Sequence, residues 1–314
     1  MTEPGARPEL TVIMVNYNTR DLTLRAIETL LANAGDVAFR LVVWDNASHD
    51  GSADAIARRF PDIELIRSPE NIGFARANNA VAASAGTEWL LLLNPDTETH
   101  PDAVKNLLTF ARTHPEAGIV GGRTVFPDGS LNAASCWNRM TPWSLLCSAM
   151  GLSRLLPRSA IFNPEGIGGW PRDSVRHVDI VVGCFFLLKS DLWRALGGFN
   201  PGYFMYGEEA DMCLRAARLG YRPMITPDAQ IMHLVGASTA KREDKVVKVM
   251  KARSTLIRDH WSRRTAPLGL MLLWLWAANR RIAASIAPER PERIVWRAVW
   301  RRRDDWLAGY SSLR

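Results

Sequence analysis

Apolar and polar positions alternate along the first 120 or so residues in a way that predicts strands separated by amphipathic helices. Short apolar runs that end at polar turns predict buried strands at Leu10–Asn16, Phe39–Trp44, Ile63–Arg67, Glu88–Leu93 and Gly118–Gly121. Apolar residues three or four positions apart predict helices at Asp21–Asn33, Ser52–Phe60, after Phe74 and at Pro101–His114. Such alternation is typical of an α/β fold with a doubly wound, mostly parallel sheet.

The second half of the chain has a different pattern. Residues 136–176 show no clear periodicity, and a long irregular segment of this kind is usually functional, so we expect a lid or part of the acceptor site. His177–Lys189 is predicted to form one strong strand, in which Gly183 indicates close approach of another backbone or a ligand. The remaining predicted elements are a short helix from Ser190, a helix over Glu208–Leu219, and short strands at Met224–Ile225 and Gln230–Met232.

Composition is that of a globular protein with a sizeable core, since 47% of the residues are hydrophobic and 23% are charged. The four cysteines form no CxxC pair, which favours buried free thiols in a reducing compartment over disulfides or zinc. The polar stretch Met1–Glu9 does not have the pattern of a secretory signal.

Charge is spread unevenly along the chain. Residues 245–314 contain 16 Lys and Arg against 5 Asp and Glu, a net charge of +11, which leaves −4 for residues 1–244. Six of the twelve tryptophans also lie in this C-terminal region, and Trp beside Arg is typical of a membrane–water interface. We therefore expect the region to contact an anionic surface. The alternative is that it packs on the body as ordinary helices, with Arg stems covering apolar surface.

The run Ala266–Ala278 within this region is apolar but only thirteen residues long. A helix needs about 20 apolar residues to span a bilayer. The run is therefore interpreted as an interfacial or protein-docking helix, with a buried core helix as the alternative.

Two polar clusters at predicted strand ends are candidate binding groups. Asp45 and Asn46 end the second strand, where a carboxylate and an amide can accept from and donate to the edge of a planar base. Asn94 and Asp96 follow four leucines, at the strand end where open α/β sheets bind ligands, and a carboxylate there suits a magnesium-type ion. The structural alternatives are an Asx turn at Asp45 and a helix cap at Asp96.

Two further clusters are candidate catalytic or metal-binding groups. Glu208, Glu209 and Asp211 begin a helix, which the helix dipole alone favours. Carboxylates this close also raise one another's pKa, which suits a general base. His233 ends an apolar strand, and a neutral imidazole there either completes a metal site with a carboxylate or is structural.

The order of these motifs resembles that of family 2 glycosyltransferases, and most closely the bacterial rhamnosyltransferase-type branch. The resemblance extends over about three-quarters of the chain, from about Leu10 to Ser238. It rests on Val15–Asn18, Asp45–Ser48 with Gly51–Ser52, Asn71–Phe74 with Asn78–Asn79, Leu93–Asp96, Gly197–Phe199, Glu208–Arg215, Gly220–Tyr221 and His233. The resemblance implies a GT-A fold, a nucleotide-sugar donor, a divalent metal and inversion at the anomeric carbon.

The resemblance also implies roles for residues near the donor. Asn16, Tyr17 and Asp45 would line the nucleoside pocket, with Asp45 facing the base. Arg76 and Asn79 lie in the stretch expected near the ribose and phosphates of the donor.

The metal and the catalytic base are implied in the same way. Asn94 and Asp96 occupy the outer positions of the DxD motif of the family, and Asp96 would bind the Mg²⁺ or Mn²⁺ that bridges the diphosphate. His233 matches the second metal ligand of the family. Glu209 falls where the family usually has an Asp as catalytic base, and Glu208 is the alternative base.

The expected domain organisation is contiguous. Residues 1–240 would form the GT-A catalytic domain, with a nucleotide-binding half at about 10–122 and an acceptor and catalytic half at about 123–240. Residues 241–314 would form a basic amphipathic helical region. The predicted function is metal-dependent transfer of a sugar, first of all rhamnose, to a glycan or polyprenyl-linked acceptor in cell-envelope polysaccharide synthesis. We expect this to occur at the cytoplasmic face of the plasma membrane, without a nucleic-acid partner.

Three other functions compete with this one. A sugar nucleotidyltransferase would share the fold and the metal, but Asn16–Thr19 replaces its usual glycine-rich phosphate loop. A non-catalytic binding protein in glycan assembly remains an alternative because Glu209 replaces the usual Asp. A dehydrogenase is disfavoured, since no GxGxxG follows the first strand.

Overall fold

The structure, a computed structural model, describes residues 8–234, 242–286 and 291–310. Its strands are β1 (Leu10–Asn16), β2 (Phe39–Asp45), β3 (Glu64–Arg67), β4 (Trp89–Leu93), β5 (Thr97–Thr99), β6 (Ile119–Val125), β7 (Cys136–Trp137), β8 (Arg176–His177), β9 (Ile180–Val181), β10 (Phe185–Lys189) and β11 (Met224–His233). Its α-helices are α1 (Arg20–Asn33), α2 (Ser52–Arg59), α3 (Phe74–Ala83), α4 (Ala103–Thr113), α5 (Pro142–Ala149), α6 (Leu152–Leu155), α7 (Ser190–Ala195), α8 (Glu208–Arg218), α9 (Arg242–His260), α10 (Ala266–Ile286), α11 (Pro291–Arg301) and α12 (Arg303–Ala308).

The central sheet is mixed and has the strand order β3-β2-β1-β4-β10-β6-β11-β5, with β8 paired to β11. Strands β3, β2, β1 and β4 are mutually parallel, and β10 lies antiparallel between β4 and β6. Helices that alternate with these strands pack their apolar sides on the sheet, so the predicted α/β fold class is confirmed.

Parallel register determines which polar residues meet at the edge of the sheet. In the β1–β2 pair, Asn16 is the register partner of Asp45, the last residue of β2. Each residue of β1 and of β4 is buried, because α1 and α4 contribute apolar side chains to the same core cluster. The polar groups that follow the strands therefore collect at their carboxyl ends.

The chain divides into two units that are not contiguous in sequence. The first comprises Met1–Cys136, Pro171–Asn200 and Met212–Ser238, and the second comprises Trp137–Trp170, Pro201–Asp211 and Thr239–Arg314. This grouping differs from the contiguous organisation expected, because residues 137–170 and 201–211 join the C-terminal helices. The physical reason is a shared core, because Leu145 of α5 lies in one buried cluster with side chains of α9, α10, α11 and α12.

The C-terminal helices are integral to the core of the second unit. Arg253 of α9 forms two hydrogen bonds of 2.6 and 2.8 Å with the carboxylate of Glu165. Asn279 of α10 donates a 2.8 Å hydrogen bond to the carbonyl of Ala149 at the end of α5. Within this unit the basic C-terminal region therefore packs as ordinary helices, which is the alternative given above for residues 245–314. Among the described residues, no helix has both the length and the apolar character needed to cross a membrane.

Three predicted elements need correction. His177–Lys189 is not one strand, because the chain turns after β9 and Cys184 instead accepts a backbone hydrogen bond from Asn94 before β10 begins. The two short strands expected after Arg222 are one strand, β11, whose pairing with β6 shifts between Thr226 and Gln230. The shift brackets Pro227, which has no N–H to donate to a ladder.

The third correction concerns the irregular segment 136–176, which contains α5 and α6. Thr141 and Ser144 form a reciprocal capping box around Pro142, the first residue of α5. A Thr three residues before a Ser, with Pro between them, is a helix-start signal, but the segment has no clear apolar periodicity to accompany it. The expectation of free thiols is met, since Cys136, Cys147, Cys184 and Cys213 are all free and buried.

Candidate active site

Asn16, at the end of β1, is fully buried and forms hydrogen bonds with several residues at the strand ends. Its Nδ2 donates to Asp45 Oδ1 at 2.6 Å and to Ser48 Oγ at 3.0 Å. Its Oδ1 accepts hydrogen bonds of 2.7 and 2.8 Å from the hydroxyls of Thr19 and Thr23. Because the whole amide is engaged inside the protein, Asn16 orients Asp45 and has no exposed surface of its own.

Asp45 is buried at the end of β2, and its second carboxylate oxygen accepts a 3.1 Å hydrogen bond from the backbone N–H of Ser48. Tyr17, which follows Asn16, is half-buried. The strand register and this hydrogen bond network bring Asn16 and Asp45 together, as expected for neighbours at one sheet edge.

Asn46 connects the end of β2 to the loop before α3. Its Nδ2 donates to Asn71 Oδ1 at 2.9 Å, and its Oδ1 accepts a 3.0 Å hydrogen bond from the N–H of Ile72. Asn71 Oδ1 also accepts from the N–H of Gly73, which has φ +83°. Asn46 thus fixes the conformation of the Asn71–Gly73 loop. The motif at Asp45–Ser48 and the motif at Asn71–Phe74 are therefore linked by hydrogen bonds.

Asn79 of α3 pairs with the backbone of the Gly197-Gly198-Phe199 turn. Its amide donates to the carbonyl of Phe199 and accepts from the N–H of Phe199, both at 2.8 Å. Arg215 of α8 donates to the carbonyls of Leu196 and Gly198, the latter at 2.9 Å. Residues of two motifs far apart in sequence therefore hold the turn that a third motif forms. Sequence reasoning placed Asn79 near the donor ribose and missed this contact.

Arg76 lies on the same helix as Asn79 and has an exposed side chain. It forms no hydrogen bond or ion pair with any residue that the structure describes. Its guanidinium therefore remains available for an external anion.

Asp96 and His233 lie side by side. Thr97, the first residue of β5, is the register partner of His233, and the N–H of Leu234 donates a 3.0 Å hydrogen bond to the carbonyl of Asp96. The Nε2 of His233 is 3.3 Å from Asp96 Oδ1, and each side chain is 7% exposed. Backbone pairing therefore brings together two groups that are 137 residues apart in sequence.

The surroundings of this pair include residues that sequence reasoning missed. Asn132 donates a 3.1 Å hydrogen bond to the carbonyl of His233. Burial alone would lower the pKa of His233, but the sulfur of Cys184 and the Asp96 carboxylate outweigh burial and raise the pKa to about 10. No sequence signal marked Asn132 or Cys184, because each is adjacent only in the folded sheet. Asn94, beside Asp96, has a half-buried side chain, and its carbonyl accepts a 2.7 Å hydrogen bond from Thr97 Oγ1.

The Asp96–His233 pair fits a divalent ion that takes its other ligands from a substrate. Within the described ranges, no three His, Cys, Asp or Glu side chains form a group suited to a metal. The buried Nδ1 of His233 has no hydrogen-bond partner among the described residues. One carboxylate and one imidazole suit Mn²⁺ or Mg²⁺ when phosphate oxygens complete the coordination. Such an ion would replace the proton that the raised pKa keeps on His233, because an imidazole binds a metal in its neutral form.

The acidic cluster belongs to the second unit and begins α8. Glu208 is buried, and its Oε2 has no hydrogen-bond partner among the described residues. Burial and the neighbouring Glu209 carboxylate raise the pKa of Glu208 well above its ordinary value. Glu209 is half-buried, and burial raises the pKa of this carboxyl as well. Two adjacent carboxyls with raised pKa values are suited to exchanging a proton.

Residues of the C-terminal region hold the segment that carries this cluster. His260 Nε2 lies 2.8 Å from Asp211 Oδ1, and both side chains are buried. The hydroxyl of Tyr203 donates to Asp259 Oδ2 at 3.3 Å, and the hydroxyl of Tyr310 donates to the carbonyl of Met205 at 2.8 Å. Sequence reasoning missed these supports because their partners lie 49 to 105 residues apart.

Comparison with known proteins agrees with these observations. Residues 11–178, more than half of the chain, match the sequence profile described as glycosyl transferase family 2. The chain belongs to glycosyl transferase family 2. The predicted family is thereby confirmed, and the protein is a glycosyltransferase, which decides against a nucleotidyltransferase and against a non-catalytic binding protein.

Two similar relatives of this family 2 glycosyltransferase are named as rhamnosyltransferases. The N-acetylglucosaminyl-diphospho-decaprenol L-rhamnosyltransferase of Mycobacterium tuberculosis is 28% identical over 257 residues, 74% of this chain and 78% of that protein. Rhamnosyltransferase WbbL of Escherichia coli is 25% identical over 234 residues, 71% of this chain and 82% of that protein. The rhamnosyltransferase-like character expected from the motifs is therefore confirmed.

A solved structure shares the fold. It is the mannosyltransferase PcManGT of Pyrobaculum calidifontis in complex with GDP-Man and Mn²⁺, with a TM-score of 0.57 and 20% sequence identity. The match covers 98% of this glycosyltransferase and 85% of that chain. It supports the GT-A fold.

Proposed function

We propose that this family 2 glycosyltransferase transfers a sugar, with inversion, from a nucleotide-sugar donor to a glycan or lipid-linked glycan acceptor in a metal-dependent reaction. The observation that carries the proposal is the proximity of Asp96 to His233 at the end of two paired strands. Rhamnose is the first donor sugar to test, because both relatives are named as rhamnosyltransferases, one of them as an L-rhamnosyltransferase. Thymidine diphosphate is the first nucleotide to test with it.

The residues at the strand ends would bind the donor. Asp45, oriented by Asn16, would accept hydrogen bonds from the base, and the half-buried Tyr17 would contact the nucleoside. Arg76 would contact the phosphates with its exposed guanidinium. Asn46 would act by shaping the loop that contains Asn71.

Asp96 and His233 would hold Mg²⁺ or Mn²⁺, with Asn94 beside them. When bound, such an ion neutralises negative charge on the departing diphosphate. Backbone pairing of β5 with β11 holds Asp96 and His233 side by side, which supports their assignment as ligands of one ion.

Glu209 would remove the proton from the attacking acceptor hydroxyl. Its raised pKa makes it a stronger base than an exposed carboxylate once it is ionised. Glu208 would stay protonated over a wider pH range, because burial and the charge of Glu209 both raise its pKa. Asp211 would position the first turn of α8 through its contact with His260.

The acceptor and the place of reaction follow from the same relatives. One of them is named for a decaprenol-linked diphosphate acceptor, so a polyprenyl-linked glycan is the acceptor class we propose. The basic residues 245–314 would bring the enzyme to the anionic cytoplasmic surface of a membrane, where such lipids are reached.

Thermal stabilisation by donors tests this proposal. A panel of nucleotide sugars, with dTDP-rhamnose first, is added with and without Mn²⁺, and a bound donor should raise the melting temperature. Asp96→Ala should abolish the metal-dependent part of the shift, whereas Asp62→Ala, at an exposed carboxylate, should retain it. A metal-dependent shift in Asp96→Ala as large as that of the wild type would contradict the assignment.

A further inference from the structure

Helix α10 has apolar side chains on two opposite sides. One side is buried in the core of the second unit and includes Leu272, Leu273 and Ala277. The other side is exposed and consists of Leu268, Met271, Trp274 and Ile282, which are 40% to 57% exposed. Their spacing places them on one side of the helix. A helix that is apolar all round is normally buried or in contact with lipid.

Helix α5 adds a second exposed apolar stripe. Trp143, Leu146 and Met150 are spaced by three and four residues and are 36% to 59% exposed. This helix packs against α10, and the Asn279–Ala149 hydrogen bond joins the two. In the second unit, two neighbouring helices therefore each leave an apolar side uncovered.

Arginines without ion-pair partners accompany these stripes. None of the following arginines forms a salt bridge within the described part of the chain: Arg154, Arg263, Arg264 and Arg281. Helices α5, α6 and α10 contain no Asp or Glu. Elsewhere in the second unit, by contrast, Arg253 and Arg302 are paired with carboxylates.

Arg280 does not belong to this set. It lies three and four residues from the buried Ala277 and Ala284 of α10, and its guanidinium is 5.5 Å from the ring centroid of Trp296.

The charge pattern distinguishes between two occupants of this surface. In a symmetric dimer the same patch would face itself, so arginines would meet arginines without carboxylates on α5, α6 or α10 to neutralise them. The headgroups of an anionic bilayer supply negative charge, and the acyl boundary below them supplies apolar surroundings. The surface therefore fits a lipid bilayer better than a second copy of the chain.

We propose that the exposed sides of α5 and α10 rest in the headgroup region of an anionic bilayer, with the unpaired arginines at lipid phosphates. This inference rests on the membrane attachment proposed above and narrows it. Within residues 245–314, the proposed membrane contact is limited to α10 and its flanks. Helices α5 and α6, which lie outside that region, are added to the contact.

Vesicle flotation with the full chain tests the inference. The wild type should float with vesicles of phosphatidylcholine and phosphatidylglycerol, and should bind weakly to phosphatidylcholine alone or at high salt. The double variant Met271→Ser/Ile282→Ser should bind at least tenfold more weakly. The matched control is Leu31→Ser/Leu219→Ser, which changes two first-unit residues of similar exposure, 49% and 57%, and should bind like the wild type.

Three further variants probe the other parts of the surface. Trp143→Ser/Met150→Ser should also weaken binding at least tenfold, and an unchanged affinity would remove α5 from the proposed surface. Arg263→Gln/Arg264→Gln/Arg281→Gln should lose the preference for the anionic lipid. Ile282→Cys, labelled with an environment-sensitive dye, should show a blue shift on adding the anionic vesicles, because all four native cysteines are buried and leave one reactive thiol.

Several outcomes would overturn the inference. One is a wild type that does not bind the anionic vesicles, and another is equal binding by the α10 double variant. Sedimentation that shows a dimer abolished by the same variant would assign the surface to a second copy. Donor stabilisation by nucleotide sugar and Mn²⁺ is measured in parallel without lipid. A protein that binds vesicles but no donor would contradict the proposed sugar transfer and leave the membrane contact standing.

Discussion

At the scale of single residues, Glu209 is the group to which the proposed reaction assigns proton removal. Glu209→Gln keeps the size and the hydrogen-bonding capacity of the side chain but removes the base. We expect donor binding to be unchanged and sugar transfer to fall by about 10²–10⁴-fold. The measurement combines donor-induced thermal stabilisation with the initial rate of transfer to a lipid-linked acceptor analogue.

Glu208→Gln is the matched comparison for this prediction, because it alters the adjacent carboxyl of the same helix turn. We expect Glu208→Gln to retain more transfer activity than Glu209→Gln. The reverse order would assign the base to Glu208, and full turnover by Glu209→Gln would refute its role.

The raised pKa of Glu208 predicts how stability depends on pH. Because the folded protein holds this proton more tightly than the unfolded chain, the unfolded chain ionises first as pH rises above the ordinary value of 4.5. This carboxyl therefore lowers the free energy of unfolding as pH rises through its folded-state pKa. Glu208→Gln should be more stable than the wild type at about pH 8. The difference should disappear below the ordinary pKa.

Melting temperatures of both proteins across this pH range check the prediction. Glu116→Gln, at an exposed carboxyl of the first unit, is the control and should show no such pH-dependent difference. A wild type that is at least as stable as Glu208→Gln at high pH would show that ionisation of this carboxyl does not lower the free energy of unfolding.

The residue scale also shows where motif-based roles needed the structure. Sequence reasoning gave Asn16, Asn46 and Asn79 contacts with the donor, whereas their amides are engaged with the protein. The sequence of a motif is the same whether its amide side chain binds a ligand or the backbone of the protein itself. Only the coordinates show which of its hydrogen bonds are already made.

At the scale of elements, the Gly197-Gly198-Phe199 turn offers a test with an internal control. Both glycines have φ of +71°. A Cβ on Gly198 would lie 2.5 Å from Asn79 Oδ1, whereas a Cβ on Gly197 would have nothing within 4 Å. Gly197→Ala should therefore cost only the backbone strain, about 1–2 kcal/mol. Gly198→Ala should cost about 1–3 kcal/mol more, because the Asn79 contact must shift.

Chemical denaturation of the two variants measures this difference in the free energy of unfolding. Equal destabilisation by the two substitutions would mean that Asn79 yields without cost. In that case the turn would not depend on its hydrogen bonds with the Asn79 side chain.

Elements were predictable where one local rule dominated. The buried strands β1 and β4 and the helices α1 and α4 were found from apolar runs and helical spacing. The break between β9 and β10 was missed because Val182 and Phe185 are as apolar as their neighbours. What divides the strand is a change of partner, because β9 pairs with β7 in a separate two-stranded sheet, whereas β10 pairs with β4 and β6.

At the scale of the whole molecule, the C-terminal helices are predicted to be indispensable to the second unit. A chain that ends at residue 241 lacks α9, α10, α11 and α12, which supply most of the core around Leu145. We expect this truncated protein to aggregate or to be cut by trypsin within residues 137–170. A chain that ends at Tyr310 keeps these four helices and serves as the control.

Limited proteolysis and size-exclusion chromatography of both proteins check this outcome. A shorter chain that stays monodisperse and protease-resistant within residues 137–170 would show that the C-terminal helices are an appendage. The membrane contact of this region is therefore better tested with point variants than by deletion.

The sequence by itself determined the α/β class, the family and the residues of the motifs, because apolar periodicity and short ordered motifs are local properties of the chain. It also showed the charge asymmetry of the C-terminal region, since charge depends on composition alone. Only the tertiary structure decided that Asp96 meets His233, that Asn79 and Arg215 hold one glycine turn, and that His260 supports Asp211. The physical reason is that each of these contacts joins segments whose proximity depends on strand pairing and core packing.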